Sequence, residues 1–150
     1  KELELYTRDC GTKLDLLNLQ WIYRAKKYYH MQAADIYSLL VPIHYKLKTE
    51  QVQDLVESPS LDEFEVQIQK TYYGKRYQFS GELTIEQTYT ECLHKLYVLD
   101  KRRNPYSIAA INTYLFLKEE ELRKLTTVIE CIRYNLTPGE TLAYVGGKAI

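Results

Sequence analysis

The stretch that decides the fold runs from Ser107 to Asn135 and reads SIAAINTYLFLKEEELRKLTTVIECIRYN. Its aliphatic residues recur at alternating spacings of three and four, which is the period of one face of an α-helix. Ser107 is a suitable N-cap. The pattern predicts one helix about 40 Å long at 1.5 Å per residue. Its apolar seam consists of Ile108, Ile111, Leu115, Lys118, Leu122, Leu125, Ile129 and Ile132, in which only Lys118 is not aliphatic.

Helical spacing continues through the rest of the chain, in which Gly (six) and Pro (four) are scarce. Thr49 and Ser60 are predicted N-caps, and Pro42 is predicted to stop the second helix because it lacks an N–H. Residues 72–83 contain two glycines and no helical period, so we expect a loop there. The sequence therefore predicts an all-α helical bundle, with further helices at 13–29, 33–41, 49–57, 60–71 and 84–103 and a last short helix that ends at about residue 145.

Composition narrows the class of protein. The 150 residues are 45% hydrophobic, which suits one globular domain, and 20 Lys and Arg balance 20 Asp and Glu. A neutral chain has no net field to attract nucleic acid or anionic lipid, and no apolar run approaches the length of a membrane span. The three cysteines (Cys10, Cys92 and Cys131) are far apart, which favours a reducing cytoplasm. Because the chain opens in mid-pattern on Lys1, we expect a soluble fragment of a longer protein.

Two segments of the chain resemble each other at a constant offset of 106 residues. Residues 15–39 match residues 121–145, with a long helix that ends in a basic residue followed by Tyr, a turn, and a short apolar helix. This correspondence predicts an internal duplication. The matched pairs are Leu16 with Leu122, Leu19 with Leu125, Ile22 with Val128, Lys27 with Arg133, Tyr28 with Tyr134, Ile36 with Leu142 and Leu39 with Val145.

The usual signatures of catalysis are missing from the sequence. It contains no phosphate-binding Gly-rich motif and no HExxH, GxSxG or CxxC. Cys92 and His94 are two residues apart, which places them on different faces of a helix. Clustered carboxylates at 62–63 and 119–121 are interpreted as a solvated face, although a hydrolase that uses a carboxylate pair stays open. We therefore predict no catalytic, cofactor-binding or metal-binding residues.

The segment from Trp21 to Tyr29 interleaves aromatic and basic residues. This composition is typical of a platform for single-stranded nucleic acid. Core aromatics followed by cations that complement the helix dipole explain the same residues. A helical nucleic-acid-binding or scaffold module is thus the alternative function.

Lys118 interrupts the apolar seam and has two interpretations. It either forms an ion pair within the chain with Glu119 or Glu121, or it pairs with a carboxylate on a partner against which the seam packs. The sequence leaves both open.

Two ordered blocks of the sequence resemble a known family. Residues 15–24 fit the pattern D-x-x-N-(L/I)-x-x-(I/L)-x-R, and residues 35–42 resemble the helix that follows it there. Residues 104–125 are similar to a second pattern, which begins N-P-(F/Y)-S-I and ends K-E-x-E-(L/V/I)-R-x-L. Both blocks resemble the C-subunit family of V-type ATPases, also called the d-subunit family. Lys124 departs from the pattern, where many members have Asn, and the chain is under half the usual length.

The resemblance implies a fold and a role. The fold would be a funnel of three related helical units, of which this chain holds one and part of another. The role would be that of a non-catalytic central-axis subunit, without cofactor, that joins the soluble central stalk to the membrane proteolipid ring on the cytoplasmic face for H⁺ or Na⁺ transport. Charge at helix positions in the matched blocks makes six residues candidate partner contacts: Arg24, Lys26, Lys27, Lys118, Glu119 and Arg123.

Overall fold

A computed structural model describes residues 2–77 and 85–145, and all regular secondary structure in these two segments is α-helical. The predicted all-α class is therefore confirmed. The helices are α1 (Glu2–Lys27), α2 (Ala33–Leu39), α3 (Thr49–Glu57), α4 (Leu61–Lys70), α5 (Tyr72–Arg76), α6 (Ile85–Arg103), α7 (Ile108–Arg133) and α8 (Pro138–Val145).

Helix α1 is the central element of the bundle. It packs against α2, α4, α6 and α7, while α3 packs on α4 and α8 packs on α7. Its aliphatic residues lie in one core with side chains of α3, α4 and α6. Burial of this apolar area is what holds the short helices against α1. The core includes Leu16, Leu19, Ile22, Val52, Leu55, Phe64, Ile68 and Leu93.

Helix α1 begins at Glu2, eleven residues before the predicted start at Lys13. Gly11 lies inside it, and a Cβ at this position would meet the Cβ of Tyr45 at 2.6 Å. The glycine thus permits the loop after α2 to approach the helix closely, and it does not mark a helix end. The predicted second helix ends at Leu39 and not at Val41.

The predicted loop at 72–83 is wrong in its first part. Tyr72–Arg76 form α5, because the side chain of Thr71 caps this helix by accepting a hydrogen bond from Gly74 N at 3.0 Å. Residues 78–83 of the predicted loop and Thr84, the first residue of the predicted helix at 84–103, lie outside the described residues.

The predicted N-caps give a mixed result. Ser60 accepts from Glu63 N at 3.2 Å and Ser107 accepts from Ala109 N at 3.2 Å, so both are confirmed. Thr49 is the first residue of α3, whose N-cap is Lys48; the backbone N–H of Lys48 donates to the side chain of Gln51.

Helix α7 packs on α6 and α1 through a face of small and mixed residues. Its buried residues are Ala109, Thr113, Phe116 and Cys131. Thr113 Oγ1 donates to the Tyr97 carbonyl of α6 at 2.8 Å, and the rings of Phe116 and Tyr97 stack with centroids 4.9 Å apart. Within the described residues, no helix combines the length and the apolar character needed to span a membrane.

Candidate interaction surface

The apolar seam of α7 faces away from the bundle. Six of its aliphatic residues are between 53% and 67% exposed, namely Ile111, Leu115, Leu122, Leu125, Ile129 and Ile132. Single exposed aliphatic residues are ordinary on protein surfaces, but a continuous apolar strip marks an interaction site. The seam is therefore the main candidate interaction surface of the described chain.

Lys118 lies in the middle of the seam and has an internal partner. Its Nζ is 2.6 Å from Glu121 Oε2, one helical turn away, and both side chains are more than half exposed. The hydrogen bond with Glu121 raises the pKa of Lys118. Of the two interpretations of this lysine, the internal pair is the one that the structure shows. Such an exposed pair contributes little stability, so a stronger external partner can replace it.

Asp15 joins three parts of the fold. It is fully buried, and its carboxylate accepts backbone N–H groups from Tyr45 (3.0 Å), Lys46 (2.6 Å) and Leu47 (3.1 Å). The Tyr73 hydroxyl donates to it at 2.8 Å. Burial and the same contact raise the pKa of Tyr73, so this hydroxyl keeps its proton and stays a donor. Asp15 thereby ties α1 to the loop before α3 and to α5.

Asn18, one helical turn after Asp15 in α1, binds the same loop. Its side-chain amide donates to the Val41 carbonyl and accepts from the Val41 backbone N–H, both at 2.9 Å. The D-x-x-N pattern at 15–18 therefore fixes the segment that follows α2. In the sequence this pattern indicates only the family, and nothing in its spacing predicts the structural role.

All six predicted partner contacts have an interaction within the chain, and four of them, Lys118, Glu119, Arg123 and Lys27, interact with other side chains. Besides the Lys118 pair, Glu119 Oε2 is 3.4 Å from Lys13 Nζ. Arg123 pairs with Glu120. Lys27 Nζ is 2.8 Å from the Tyr23 hydroxyl and 5.4 Å from the centroid of the Tyr28 ring.

The other two predicted contacts lie at the end of α1. Lys26 Nζ donates to the Ser58 carbonyl at 2.7 Å, and partial burial lowers its pKa. Arg24 is exposed and also has an interaction within the chain. The structure brings Lys118, Glu119 and Arg123 together on α7, and it places Arg24, Lys26 and Lys27 together on α1.

The aromatic and basic segment at the end of α1 is partly used by the fold. Trp21 and Tyr23 are half-buried, and Tyr23 packs on Phe64 with centroids 5.8 Å apart. Tyr28 and Tyr29 are exposed beyond the end of the helix. Lys26 and Lys27 both bind groups within the chain. This agrees with the interpretation that the segment consists of core aromatic residues followed by basic residues at the end of the helix.

In the described residues, no cluster of three or more His, Cys, Asp or Glu residues could hold a metal ion. Cys92 is buried and His94 is exposed, as their spacing predicts, and burial raises the pKa of the Cys92 thiol to about 12. An open groove of about 930 Å³ lies between α6, α7 and α8. Acids along it form ion pairs with bases on their own helices, as Glu91 does with Lys95 and Glu120 with Arg123.

A buried acid pair joins α1 to α6 and α7. Asp9 and Asp100 are at most 2% exposed, and Asn112 Nδ2 donates to Asp9 Oδ2 at 3.2 Å. Arg8 forms an ion pair with Asp100. Burial, and then the hydrogen bond with Asp100, raise the pKa of Asp9 from 3.8 to about 6. Asp9 Oδ1 meets no donor in the described part of the chain. Below about pH 6, a proton on Asp9 would supply a donor between the two carboxyl groups.

This acid pair makes the stability of the chain depend on pH. Because the pKa of Asp9 is higher in the folded state, its contribution is full below about pH 4 and is lost as the pH rises through about 6. Asp9→Asn supplies a permanent donor to Asp100. We expect it to raise the free energy of unfolding at pH 7.5 by about 1–2 kcal/mol and to remove this pH dependence. Urea denaturation at several pH values measures both effects.

The matched control for this prediction is Asp62→Asn, which changes an exposed carboxylate in the first turn of α4. The control should keep the pH profile of the wild type. Parallel profiles for Asp9→Asn and the wild type would show that Asp9 titrates in the folded chain as it does in an unfolded one.

Comparison with known proteins identifies the family. The model of the ATP synthase (C/AC39) subunit family matches residues 1–144. The C subunit of the A-type ATP synthase of Thermococcus kodakarensis is 30% identical over 154 residues, which cover 99% of this chain and 41% of that protein. The chain thus spans less than half the length of this relative. No solved structure matches it. The chain belongs to the ATP synthase (C/AC39) subunit family, whose members are subunits of rotary V- and A-type ATPases.

Proposed function

We propose that the chain is part of a non-catalytic central-axis subunit that links the soluble central stalk of a rotary ATPase to its membrane proteolipid ring. The observation that carries this proposal is the family match over residues 1–144. In this role the subunit lies on the cytoplasmic face of the membrane and couples ATP turnover to transport of H⁺ or Na⁺. Its other partners are the remaining subunits of the complex.

The buried hydrogen bonds that hold the loop after α2 against α1 support a mechanical role. A linking subunit must carry torque without changing shape, and densely packed interiors transmit strain. Here the buried polar groups of Asp15 and Asn18 fix the loop after α2 to the central helix. Helices α1 and α7 have 26 residues each, so each spans about 39 Å. Long helices in a bundle held by buried hydrogen bonds would form a stiff connection between the surface that binds the stalk and the surface that binds the ring.

The charged residues of α7 are the better candidates for partner contact. The pairs of Lys118 with Glu121 and of Glu119 with Lys13 are exposed, and the latter is long at 3.4 Å. Replacing such a pair by one with a partner costs little. Lys26 is less suited because its amine already caps the end of α3 through the Ser58 carbonyl. We propose Lys118, Glu119 and Arg123 as the contacts of α7, and Arg24 and Lys27 as weaker ones at the end of α1.

Co-purification tests this function. In cells that assemble the rotary ATPase, the full subunit with an affinity tag should retain stalk and ring subunits. The triple variant Lys118→Glu, Glu119→Lys and Arg123→Glu should reduce the retained amount by about tenfold, because like charges then face the partner. Lys70→Glu, on the exposed side of α4, is the matched control and should retain the wild-type amount.

Circular dichroism of the variants separates a lost contact from a lost fold. A protein that is folded and present in the cell but retains neither stalk nor ring subunits would overturn the proposed linking role. Wild-type retention by the triple variant would overturn the proposed contacts on α7 and leave the linking role in place.

A further inference from the structure

Basic and aromatic side chains meet where the loop after α2 contacts α5. Lys46 Nζ lies over the ring of Tyr72, 5.9 Å from its centroid. The hydroxyl of the same tyrosine accepts a hydrogen bond from Arg76 Nη1 at 3.3 Å. Lys46 Nζ also lies 4.7 Å from the centroid of the Tyr45 ring. Two partly exposed tyrosine rings are thus in direct contact with cations.

Three further lysines extend this surface. Lys75 precedes Arg76 in α5, and Lys48 and Lys70 are joined through Gln51. The Gln51 side chain accepts the backbone N–H of Lys48 at 3.1 Å and donates to the Lys70 carbonyl at 3.4 Å. All five basic residues are exposed. We call this surface the basic–aromatic patch, and it consists of Tyr45, Lys46, Lys48, Lys70, Tyr72, Lys75 and Arg76.

The charge of the patch is not compensated by carboxylates. The two stretches of sequence that form it, 36–49 and 66–77, contain no Asp or Glu. Within residues 2–77 and 85–145, none of its five basic residues forms an ion pair. Asp15, which holds both stretches, is fully buried and already accepts four hydrogen bonds. A chain without net charge therefore has one locally positive surface, which attracts anions.

The loop beside the patch exposes an aliphatic residue. Asn18 binds this loop at Val41, and Asp15 binds it at residues 45–47. Residues 42–44, between these two attachments, are all exposed, and Ile43 is 55% exposed. An apolar side chain is thus held outside the bundle on a fixed loop, close in sequence to the bases and tyrosines of the patch.

We propose that the basic–aromatic patch binds a membrane surface that contains anionic phospholipids. The five basic residues contact the lipid phosphates, and the tyrosines lie at the level of the headgroups, where Tyr is enriched in membrane proteins. Ile43 enters the boundary between headgroups and acyl chains. This adds a direct contact with lipid to the proposed function, on which it rests only for the presence of a membrane nearby.

The uniform charge of the patch favours lipid over a protein partner. A protein surface carries charges of both signs, and its basic groups would find no carboxylate on this patch. An anionic bilayer presents negative charge over an area wide enough for all five basic residues. Free phosphate is a poorer ligand, because the basic residues are spread over the loop, the end of α4 and α5 and do not converge on one point.

Co-sedimentation with vesicles tests the proposal on the full subunit, without the other subunits of the complex. At about 0.1 M salt, the subunit should bind vesicles of phosphatidylcholine and phosphatidylglycerol at least about tenfold more tightly than vesicles of phosphatidylcholine alone. About 0.5 M salt should remove most of this binding, because it shortens the range of the electrostatic attraction. No binding to the anionic vesicles, or equal binding to both kinds, would overturn the proposal.

Substitutions show whether the patch is responsible. Lys46→Gln with Arg76→Gln should lower the affinity for anionic vesicles by about thirtyfold, because each basic residue near such a surface contributes a factor of about five. Lys95→Gln with Lys124→Gln is the matched control, since it removes the same charge from a groove that contains three glutamates. Circular dichroism checks that both variants are folded. Equal losses of affinity in the two variants would contradict a role of the patch.

Two further measurements test the apolar contact and the source of the phosphate. Ile43→Ser should lower the affinity by about tenfold, whereas Val98→Ser, at an exposed position of α6, should leave it unchanged. An unchanged affinity for Ile43→Ser would contradict the proposed insertion. Free phosphate at the same ionic strength should not release the subunit from the vesicles. Its release would identify a site for the free ion and would also count against the proposal.

The vesicle experiment and the co-purification experiment can fail separately. A subunit that retains stalk and ring subunits but does not bind anionic vesicles would overturn only the lipid contact. A subunit that binds these vesicles through the patch, but retains neither stalk nor ring subunits, would overturn only the linking function.

Discussion

Replacing Asp15 with alanine is expected to lower the free energy of unfolding by about 3–5 kcal/mol, measured by urea denaturation. The carboxylate accepts three backbone N–H groups and the Tyr73 hydroxyl in a fully buried position. Alanine removes the acceptor but leaves the donors buried, and each unsatisfied donor costs about 1–3 kcal/mol. Water that enters the cavity recovers part of this loss, so the expected total is smaller than the sum of the four.

Two further variants show whether the loss comes from this network. Asp54→Ala removes an exposed carboxylate from the middle of α3 and should change the stability by less than about 0.5 kcal/mol. Tyr73→Phe removes only one of the four donors and should cost about 1–2 kcal/mol. A loss below about 1 kcal/mol for Asp15→Ala would mean that Asp15 does not hold the loop before α3.

Gly74→Ala is expected to destabilise the chain by about 2–4 kcal/mol. A Cβ at this position would be 2.0 Å from the Ile68 carbonyl oxygen and 2.5 Å from the Gln69 Cα. Both are backbone atoms of α4, so no change of side-chain rotamer relieves the overlap, and α5 has to move away from α4. This displacement also pulls Tyr73 away from Asp15, to which it is hydrogen bonded.

Gly139→Ala is the matched control for this prediction. Gly139 also lies in a helix, but a Cβ there would meet no atom within 4 Å. Alanine is the better helix former by about 1 kcal/mol, so this variant should be as stable as the wild type or slightly more stable. Equal effects of the two substitutions would show that helix propensity, and not the close approach of α5 to α4, determines the result at Gly74.

The helices could be predicted from the sequence, but the face of α7 that is buried could not. Strict spacing of Ile and Leu predicts the helix itself, and its observed bounds are within two residues of the predicted ones. The same spacing favours burial of the seam, whereas the chain buries Ala109, Thr113 and Phe116 instead. Apolar patterning shows which face needs a partner, but not whether the partner is in the same stretch of chain. Small residues such as Ala109 and Thr113 are buried here because they let α7 approach α6 closely.

The hydrogen bonds by which Asp15 and Asn18 hold the loop after α2 could not be predicted from local pattern either. The partners of Asp15 and Asn18 are 23 to 58 residues away in the chain, so spacing within α1 gives no sign of them. The short helix α5 could not be predicted for a related reason. Local pattern favours a loop at Gly74, whereas close contact with the α4 backbone requires glycine at this position. Asp15, Asn18 and Gly74 are polar or small residues whose role depends on contacts with distant parts of the fold.

The coupling of ATP hydrolysis to ion transport tests the proposed linking function most directly. Membrane vesicles that contain the rotary ATPase can be prepared with and without the full subunit, and the number of ions transported per ATP hydrolysed can be measured in each. We predict that without the subunit the catalytic head still hydrolyses ATP while transport falls to background, and that adding the subunit restores transport. An unchanged number of ions per ATP in vesicles that lack the subunit would contradict the linking function.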